Sequence, residues 1–182
     1  MEILFIVLGL LVFVGIWYIA TMNGFRTMLV KIDESESGID VALTQRFDML
    51  TKMFQAAKGY MKHERETLES VVKMRQPKHS DNIKDKENFA NEVSRGLAAI
   101  NVVVEQYPDL KASQNISKLQ DATFEIEENL QAARRVYNSN VSFYNQRIVV
   151  FPNSIIANMG GFKKREFFEA DPMKREDVSF DF

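Results

Sequence analysis

The sequence contains no cysteine among its 182 residues. This absence excludes disulfides, zinc–thiolate sites, iron–sulfur clusters and cysteine nucleophiles. Histidine is also scarce, since His63 and His79 are the only two in the chain. Neither belongs to a His-Glu-x-x-His pattern, in which two metal ligands share one face of a helix. We therefore predict that both are solvated surface residues.

Proline and glycine are few, at four and eight residues. A sheet-rich fold needs frequent turns, and these residues form many of them, so their scarcity favours long helices. The composition is 46% hydrophobic and 26% charged, which is typical of a folded chain rather than a disordered one. The formal net charge is only −2, so we expect no nucleic-acid partner. The predicted fold class is all-α.

The chain begins with a long apolar run, in which residues 3–20 are all apolar, aromatic or glycine. About twenty such helical residues span a hydrocarbon core of about 30 Å. A cleaved signal peptide would show a basic start and a small-residue cleavage site, and this run shows neither. Trp17 and Tyr18 near its end are typical of aromatic anchors at the water interface. We predict that residues 1–22 form a single transmembrane helix that contacts the lipid bilayer through residues 3–20.

The orientation of this helix follows from the basic residues near its ends. Arg26 and Lys31 lie on its C-terminal side, and no basic residue precedes it. Basic residues flanking a span favour the cytoplasmic side. We therefore expect the N-terminus outside the cell membrane and residues 23–182 in the cytoplasm.

Three later segments carry apolar residues at helical spacing. They cover residues 25–71, 89–107 and 116–148. Short connections between long helices favour antiparallel neighbours, so we predict an up-and-down bundle of three long helices, with a short C-terminal helix within residues 152–161. This bundle forms a domain of residues 23–161. Residues 162–182 mix charges and aromatics without a period, and we expect a partly disordered tail.

Groups of charged residues do not form a recognisable catalytic pattern. Glu125, Glu127 and Glu128 lack the Glu-x-x-His motif of metal sites in helical bundles and are predicted to form an exposed helix face. The basic groups Arg134-Arg135 and 163–165 could contact anionic lipid or an acidic partner, but we favour a solvated charged face. No Gly-x-Ser-x-Gly elbow or glycine-rich phosphate loop occurs. We expect no catalytic residue, metal, cofactor or small-molecule substrate, and hence no enzyme.

The stretch YNSNVSFYN, residues 137–145, repeats a Tyr-Asn pair at an interval of seven residues. This interval is close to two helical turns, so Tyr137 and Tyr144 share one face. The favoured interpretation is core packing, with buried rings and asparagines that donate lateral hydrogen bonds. The alternative is a groove for a partner.

Several of these motifs together resemble the LemA family of bacterial membrane proteins. The resemblance is carried by the Tyr-Asn repeat, Phe151-Pro152, Ile155-Ile156-Ala157 and FKKREFFEA at 162–170. Upstream, IDVALTQRFDML, KGYMKHERETLE and YPDLKA also resemble that family. It implies an N-terminal membrane helix, usually with an external N-terminus, and a soluble helical bundle. It does not imply a reaction.

Two functional hypotheses follow. The first is a membrane-anchored interaction or scaffold protein of the bacterial envelope, with other membrane or envelope proteins as partners. The family resemblance supports it, because some members are linked to magnetosome membranes and others are encoded near membrane proteases. The second is an accessory subunit or cofactor of a membrane-bound hydrolase or protease.

Overall fold

The computed structural model describes residues 1–61, 69, 73–74 and 76–169 of the chain. Within these ranges the regular structure is helical. The helices are α1 (Glu2–Ala57), α2 (Ile83–Gln106), α3 (Pro108–Lys111), α4 (Gln114–Val149) and α5 (Asn153–Met159). The predicted all-α class, with an apolar N-terminal helix and a short C-terminal helix, is confirmed.

Helix α1 joins the apolar run to the folded body without a break. No proline occurs before Pro77, so no residue removes a backbone N–H from the helical hydrogen bonds. The helix nevertheless ends at Ala57, where the Tyr60 N–H donates to the Ala57 carbonyl in a turn. The first predicted helical segment extended from residue 25 to Val71. Most of its last third, including Val71, lies outside the described residues.

The chain forms two compact units. One comprises Met1–Ser35 and Val136–Phe167, and the other comprises Glu36–Arg135 with Phe168 and Glu169. The predicted boundaries at 22/23 and 161/162 stay predictions.

The unit that begins at Glu36 contains the middle of the predicted bundle. Its core consists of apolar residues from α1, α2 and α4, including Leu50, Val93 and Leu130, which are all fully buried. Helix α4 runs antiparallel to α1, because Ala133 lies beside Gly38 while Thr123 contacts Met53. Near its start, α2 pairs Lys86 with Glu36 of α1, and just after both helices end, Tyr60 packs against Tyr107. Residue numbers therefore rise together along the two segments, so α1 and α2 run in the same direction.

Helix α2 begins at Ile83 with a side-chain cap. Asn82 is the N-cap, and its side-chain oxygen accepts a hydrogen bond from the Asp85 N–H at 2.8 Å. This bond satisfies one of the backbone donors that a helix start leaves unpaired. The helix ends before Pro108, as the sequence predicts.

The unit that begins at Met1 packs the last turns of α4, the short helix α5 and an extended segment against α1. Phe25 is fully buried and meets Phe162 edge to face, with ring centroids 5.0 Å apart. Two glycines turn the chain from α5 into the extended segment. Gly161 has φ +70°, and a Cβ on Gly160 would lie only 2.6 Å from the Phe162 ring, so both positions favour glycine.

Candidate interaction sites

The Tyr-Asn repeat holds the extended segment that follows α5. Tyr137 and Tyr144 are buried, at 2% and 1% exposure. The Tyr144 hydroxyl donates to the Lys163 carbonyl and the Tyr137 hydroxyl donates to the Glu166 carbonyl, both at 3.0 Å. The two tyrosines therefore bond to backbone atoms of one extended stretch through side chains two turns apart on α4.

Asn145 binds the same stretch through both ends of its amide. Its Nδ2 donates to the Arg165 carbonyl at 2.9 Å, and its Oδ1 accepts from the Arg165 N–H at 2.9 Å. A side chain that pairs with both backbone groups of one residue replaces the partner strand that an extended chain otherwise needs. These contacts use backbone atoms, so they fix the path of the segment with little dependence on its side chains.

The predicted core packing of the tyrosines is confirmed. The sequence did not indicate that the segment after α5 packs over them. Residues 162–169, which we included in a partly disordered tail, follow a defined path without helix or strand, and hydrogen bonds from α4 hold residues 163–166 in this groove. The prediction for 170–182 falls outside the described residues. The lateral bonds were predicted for Asn138 and Asn145 of the repeat, and Asn145 binds the Arg165 backbone. A bond between helices comes from Asn140, which the prediction did not include, and its Nδ2 donates to the Lys31 carbonyl at 3.1 Å.

Burial and a neighbouring charge both affect the Tyr144 hydroxyl of this groove. Burial raises the pKa of Tyr144, and the nearby positive charge of Arg165 opposes that rise. The Tyr144 hydroxyl therefore keeps its proton and remains a donor. Arg165 also pairs with Asp33, with Nη2 and Oδ1 2.7 Å apart. The ion pair is partly exposed, so it contributes little stability and chiefly orients the segment.

A lysine lies fully buried in the second unit. The Lys86 Nζ is 2.7 Å from Glu36 Oε1 and 2.7 Å from Asp40 Oδ1, and the side chain has no exposed area. Asp40 also contacts His79, with Oδ2 and Nδ1 2.7 Å apart. A buried ammonium must be paired, and two carboxylates with the His79 carbonyl at 3.3 Å supply its partners.

A second charged cluster joins α1 and α4 in the same unit. The Arg46 Nη2 lies 2.6 Å from Glu127 Oε2, and its Nη1 donates to the Ala90 carbonyl at 3.2 Å. Burial lowers the pKa of Arg46 and of Arg134, while the charge of Glu127 opposes both shifts. Arg134 also stacks over Phe168, 4.7 Å from the ring centroid. Glu127 therefore offsets part of the desolvation of both arginines, and Glu87 adds to this effect for Arg134.

The sequence matches a family model for the LemA family over residues 35–182. This range includes α2, α4, α5, the Tyr-Asn repeat and both charged clusters. The chain belongs to the LemA family.

Relatives of this LemA-family chain extend the comparison. Protein LemA of Metamycoplasma hominis is 28% identical over 183 residues, which cover 97% of this chain and 83% of that protein. Magnetosome protein MamQ 2 of Paramagnetospirillum magneticum is 32% identical over 84 residues. Magnetosome protein MamQ of Magnetospirillum gryphiswaldense is 27% identical over 84 residues. Both MamQ alignments cover 46% of this chain and 29% of the relative.

The apolar helix and these relatives together indicate a membrane-associated protein. In α1 every side chain of residues 1–16 is exposed, although nearly all of them are apolar. Water is a poor solvent for such a continuous apolar surface, whereas the hydrocarbon core of a bilayer suits it. Within the described residues, α1 is long and apolar enough to cross a membrane.

Other candidate residues of the LemA-family chain fall into three groups. His63 lies outside the described residues, whereas His79 is exposed as predicted but paired with Asp40. Glu125 and Glu128 are exposed, which confirms that prediction, but Glu127 is half-buried. The prediction of solvated basic groups is wrong for Arg134 and Arg165, which are half-buried, whereas Arg135, Lys163 and Lys164 are exposed.

An open cleft of about 260 Å³ lies at the start of α2. Its lining includes the acidic residues Asp81, Asp85 and Glu92. Among the residues that the structure describes, no three His, Asp or Glu side chains are grouped closely enough to hold a metal ion. The cleft is therefore an acidic surface feature and offers no metal-binding geometry.

An apolar stripe lies exposed on the outer side of α4 in the first unit. It consists of Val136 and Phe143 of α4 and of Val150, which directly follows the helix and continues its hydrogen bonding to the Gln146 carbonyl. These residues succeed one another at intervals of seven and are 55%, 66% and 56% exposed. This spacing places them along one face of the helix. Such an aligned set differs from a single exposed apolar residue, which is normal on a protein surface.

Proposed function

We propose that this LemA-family protein is a non-enzymatic interaction protein that holds other membrane or envelope proteins at the bacterial cell membrane. The observation that carries the proposal is the exposed stripe of Val136, Phe143 and Val150 along α4. An apolar face with a seven-residue repeat suits a partner helix, whose side chains would pack between these residues. The likeness to magnetosome proteins supports a role at a membrane.

The position of the stripe favours a partner that is itself in the membrane. Helix α4 packs alongside α1 in this unit, with Asn140 bonded to the Lys31 carbonyl, and α1 continues directly into the apolar run. A helix that leaves the bilayer beside α1 would therefore meet the stripe without leaving the membrane. Both partners would be confined to the same bilayer, which raises their effective concentration.

Orientation is part of the proposal, and it yields a prediction. Arg26 and Lys31 flank the run on its C-terminal side. The N-terminus therefore lies outside the inner membrane, and the folded units lie in the cytoplasm. A reporter that matures only in the cytoplasm, fused after Phe182, should be active. The same protein in intact spheroplasts should resist external protease. Digestion of the folded units from outside would reverse the orientation and the set of available partners.

The stripe itself gives the main prediction of this proposal. Phe143→Ser in the full-length protein should abolish recovery of its protein partner from a detergent extract of cross-linked membranes. Phe124→Ser is the matched control, because Phe124 is also 66% exposed on α4 but has polar Ser117 and Gln131 at the seven-residue spacing. The control should recover the partner at the level of the parent.

Three outcomes of this experiment are informative. Equal recovery with both variants would contradict a partner on the stripe. Equal loss would show that exposed phenylalanine in general, and not this face, governs recovery. If the parent recovers an active peptidase or other hydrolase and Phe143→Ser does not, the accessory-subunit hypothesis is favoured.

A further inference from the structure

We propose that the end of α4 and the helix α5 form a second membrane contact, in which an apolar tip inserts into the interface of the bilayer beside the span. The tip consists of Val149, Val150, Phe151, Ile155 and Met159. This inference rests on the membrane span of the proposed function and adds a lipid-binding surface to it.

The tip is the most exposed apolar cluster of the first unit outside the apolar run. Phe151 and Met159 are 76% and 71% exposed, and the other three members are each more than half exposed. The same short helix buries Ile156 and Ala157 on its inner side. Helix α5 therefore carries apolar residues on its inner side and also on its outer side, where no described residue covers Ile155 and Met159. A group of exposed apolar residues that lie together on a surface marks a contact site.

Contacts within the unit place this tip at the level of the end of the span. Asn140 of α4 is level with Lys31 of α1, to which it is hydrogen-bonded. Val149 lies nine residues after Asn140 on α4, and Met22 lies nine residues before Lys31 on α1. Each step of nine residues covers about 13 Å along its helix, so Val149 and Met22 are also level. The two helices run antiparallel here, because a Cβ on Gly160, just after α5, would lie 3.1 Å from Met22 Sδ. Met22 follows the apolar run by only two residues.

Burial along α1 gives the same level independently. The side chains of residues 1–16 are exposed, Trp17 and Tyr18 are half-buried, and Thr21 is buried. Packing against α1 therefore begins inside the apolar run, at Trp17, three residues before the last residue of the run. The folded unit cannot stand clear of the headgroups if residues 3–20 occupy the hydrocarbon core.

The chemistry around the tip fits the interface of a bilayer. Apolar and aromatic side chains bury to a depth of about 5–10 Å at the boundary between headgroups and acyl chains. Lys163 and Lys164, just after the tip, are exposed and suit the phosphates of the headgroups. A neutral lipid surface is sufficient for the apolar contact, whereas the lysines would add affinity for an anionic one.

Site-directed spin labelling tests this contact cleanly, because the natural chain has no cysteine. Single cysteines at Phe151 and Met159 would carry nitroxides in the full-length protein, reconstituted in phosphatidylcholine vesicles. Leu10, in the run, is the lipid reference, and Phe124 is the aqueous reference. All four side chains are at least 60% exposed, so the labels do not disturb the core. Circular dichroism would check that each variant keeps its helix content.

The expected result is a ratio of oxygen to nickel-chelate accessibility at 151 and 159 that exceeds the ratio at 124 several-fold. The ratio should persist without anionic lipid. If labels at 151 and 159 match 124 while the label at 10 reports lipid, the tip inference fails and the span stands. If the label at 10 is also aqueous, the span fails, and the inference fails with it. If labels at 151 and 159 report lipid only in vesicles that contain phosphatidylglycerol, binding depends on the lysines, and the proposal that the apolar tip inserts by itself is contradicted.

Discussion

Tyr144→Ala should destabilise the protein by about 3–5 kcal/mol, the usual cost of removing a large buried aromatic ring. Tyr144 is 1% exposed and its hydroxyl bonds to the Lys163 carbonyl, so the variant loses both core packing and one anchor of the extended segment. Tyr144→Phe keeps the ring and should cost only about 1 kcal/mol, because it removes a single hydrogen bond. Chemical unfolding in detergent, followed by circular dichroism, measures both values.

The neighbouring residue supplies the control for this prediction. Phe143 is adjacent in sequence, similar in size and 66% exposed, so Phe143→Ala should change the free energy of unfolding by less than about 1 kcal/mol. Equal losses at 143 and 144 would mean that the aromatic ring affects helix α4 itself rather than the core. A Tyr144→Ala protein as stable as its parent would contradict the buried groove.

Lys86→Met should be similarly destabilising, at about 3–5 kcal/mol, because it removes the buried cation that lies between the carboxylates of Glu36 and Asp40. The methionine side chain fills much of the same volume, so the loss is electrostatic rather than a cavity effect. Lys84→Met is the control, since Lys84 is exposed on the same helix and should cost less than about 0.5 kcal/mol. Thermal and denaturant unfolding of the full-length protein measures the difference.

Restoring neutrality provides a second arm of this experiment. The triple variant Lys86→Met, Glu36→Gln, Asp40→Asn removes all three charges while keeping the size of each side chain. It should regain a large part of the stability that Lys86→Met loses, because replacing a whole buried charged group costs far less than removing one partner. A triple variant less stable than the single one would show that the carboxylates are needed for their other hydrogen bonds and not for Lys86.

The positions of the two buried cations, Lys86 and Arg46, can be recognised from the apolar spacing of their helices, although not from composition. Lys86 occupies a stripe position between Ile83 and Ala90, at the same steps of three and four that mark the buried face of α2. Arg46 occupies the equivalent position between Leu43 and Leu50 in α1. A charged residue on such a stripe predicts a buried ion pair. Its partners, however, come from other helices, and no periodicity identifies them.

The anchor and the helices were predictable because each depends on local pattern. An apolar run of sufficient length and apolar spacing of three and four are visible in any window of the chain. The extended segment after Gly161 was not predictable, since its order comes from Tyr137, Tyr144 and Asn145, which lie about twenty residues upstream or more. The Tyr-Asn repeat indicated a face that must be covered, but it did not indicate that the chain covers this face itself.

Photo-crosslinking in living cells tests the central claim of an interaction protein most directly. Benzoylphenylalanine would replace Phe143 in one full-length variant and Phe124 in the other, so that the probe has equal exposure on the same helix. The account predicts a discrete crosslinked membrane protein with the probe at 143 and none with the probe at 124. Crosslinks to lipid alone at 143, or the same products from both positions, would contradict a partner bound along the stripe of α4.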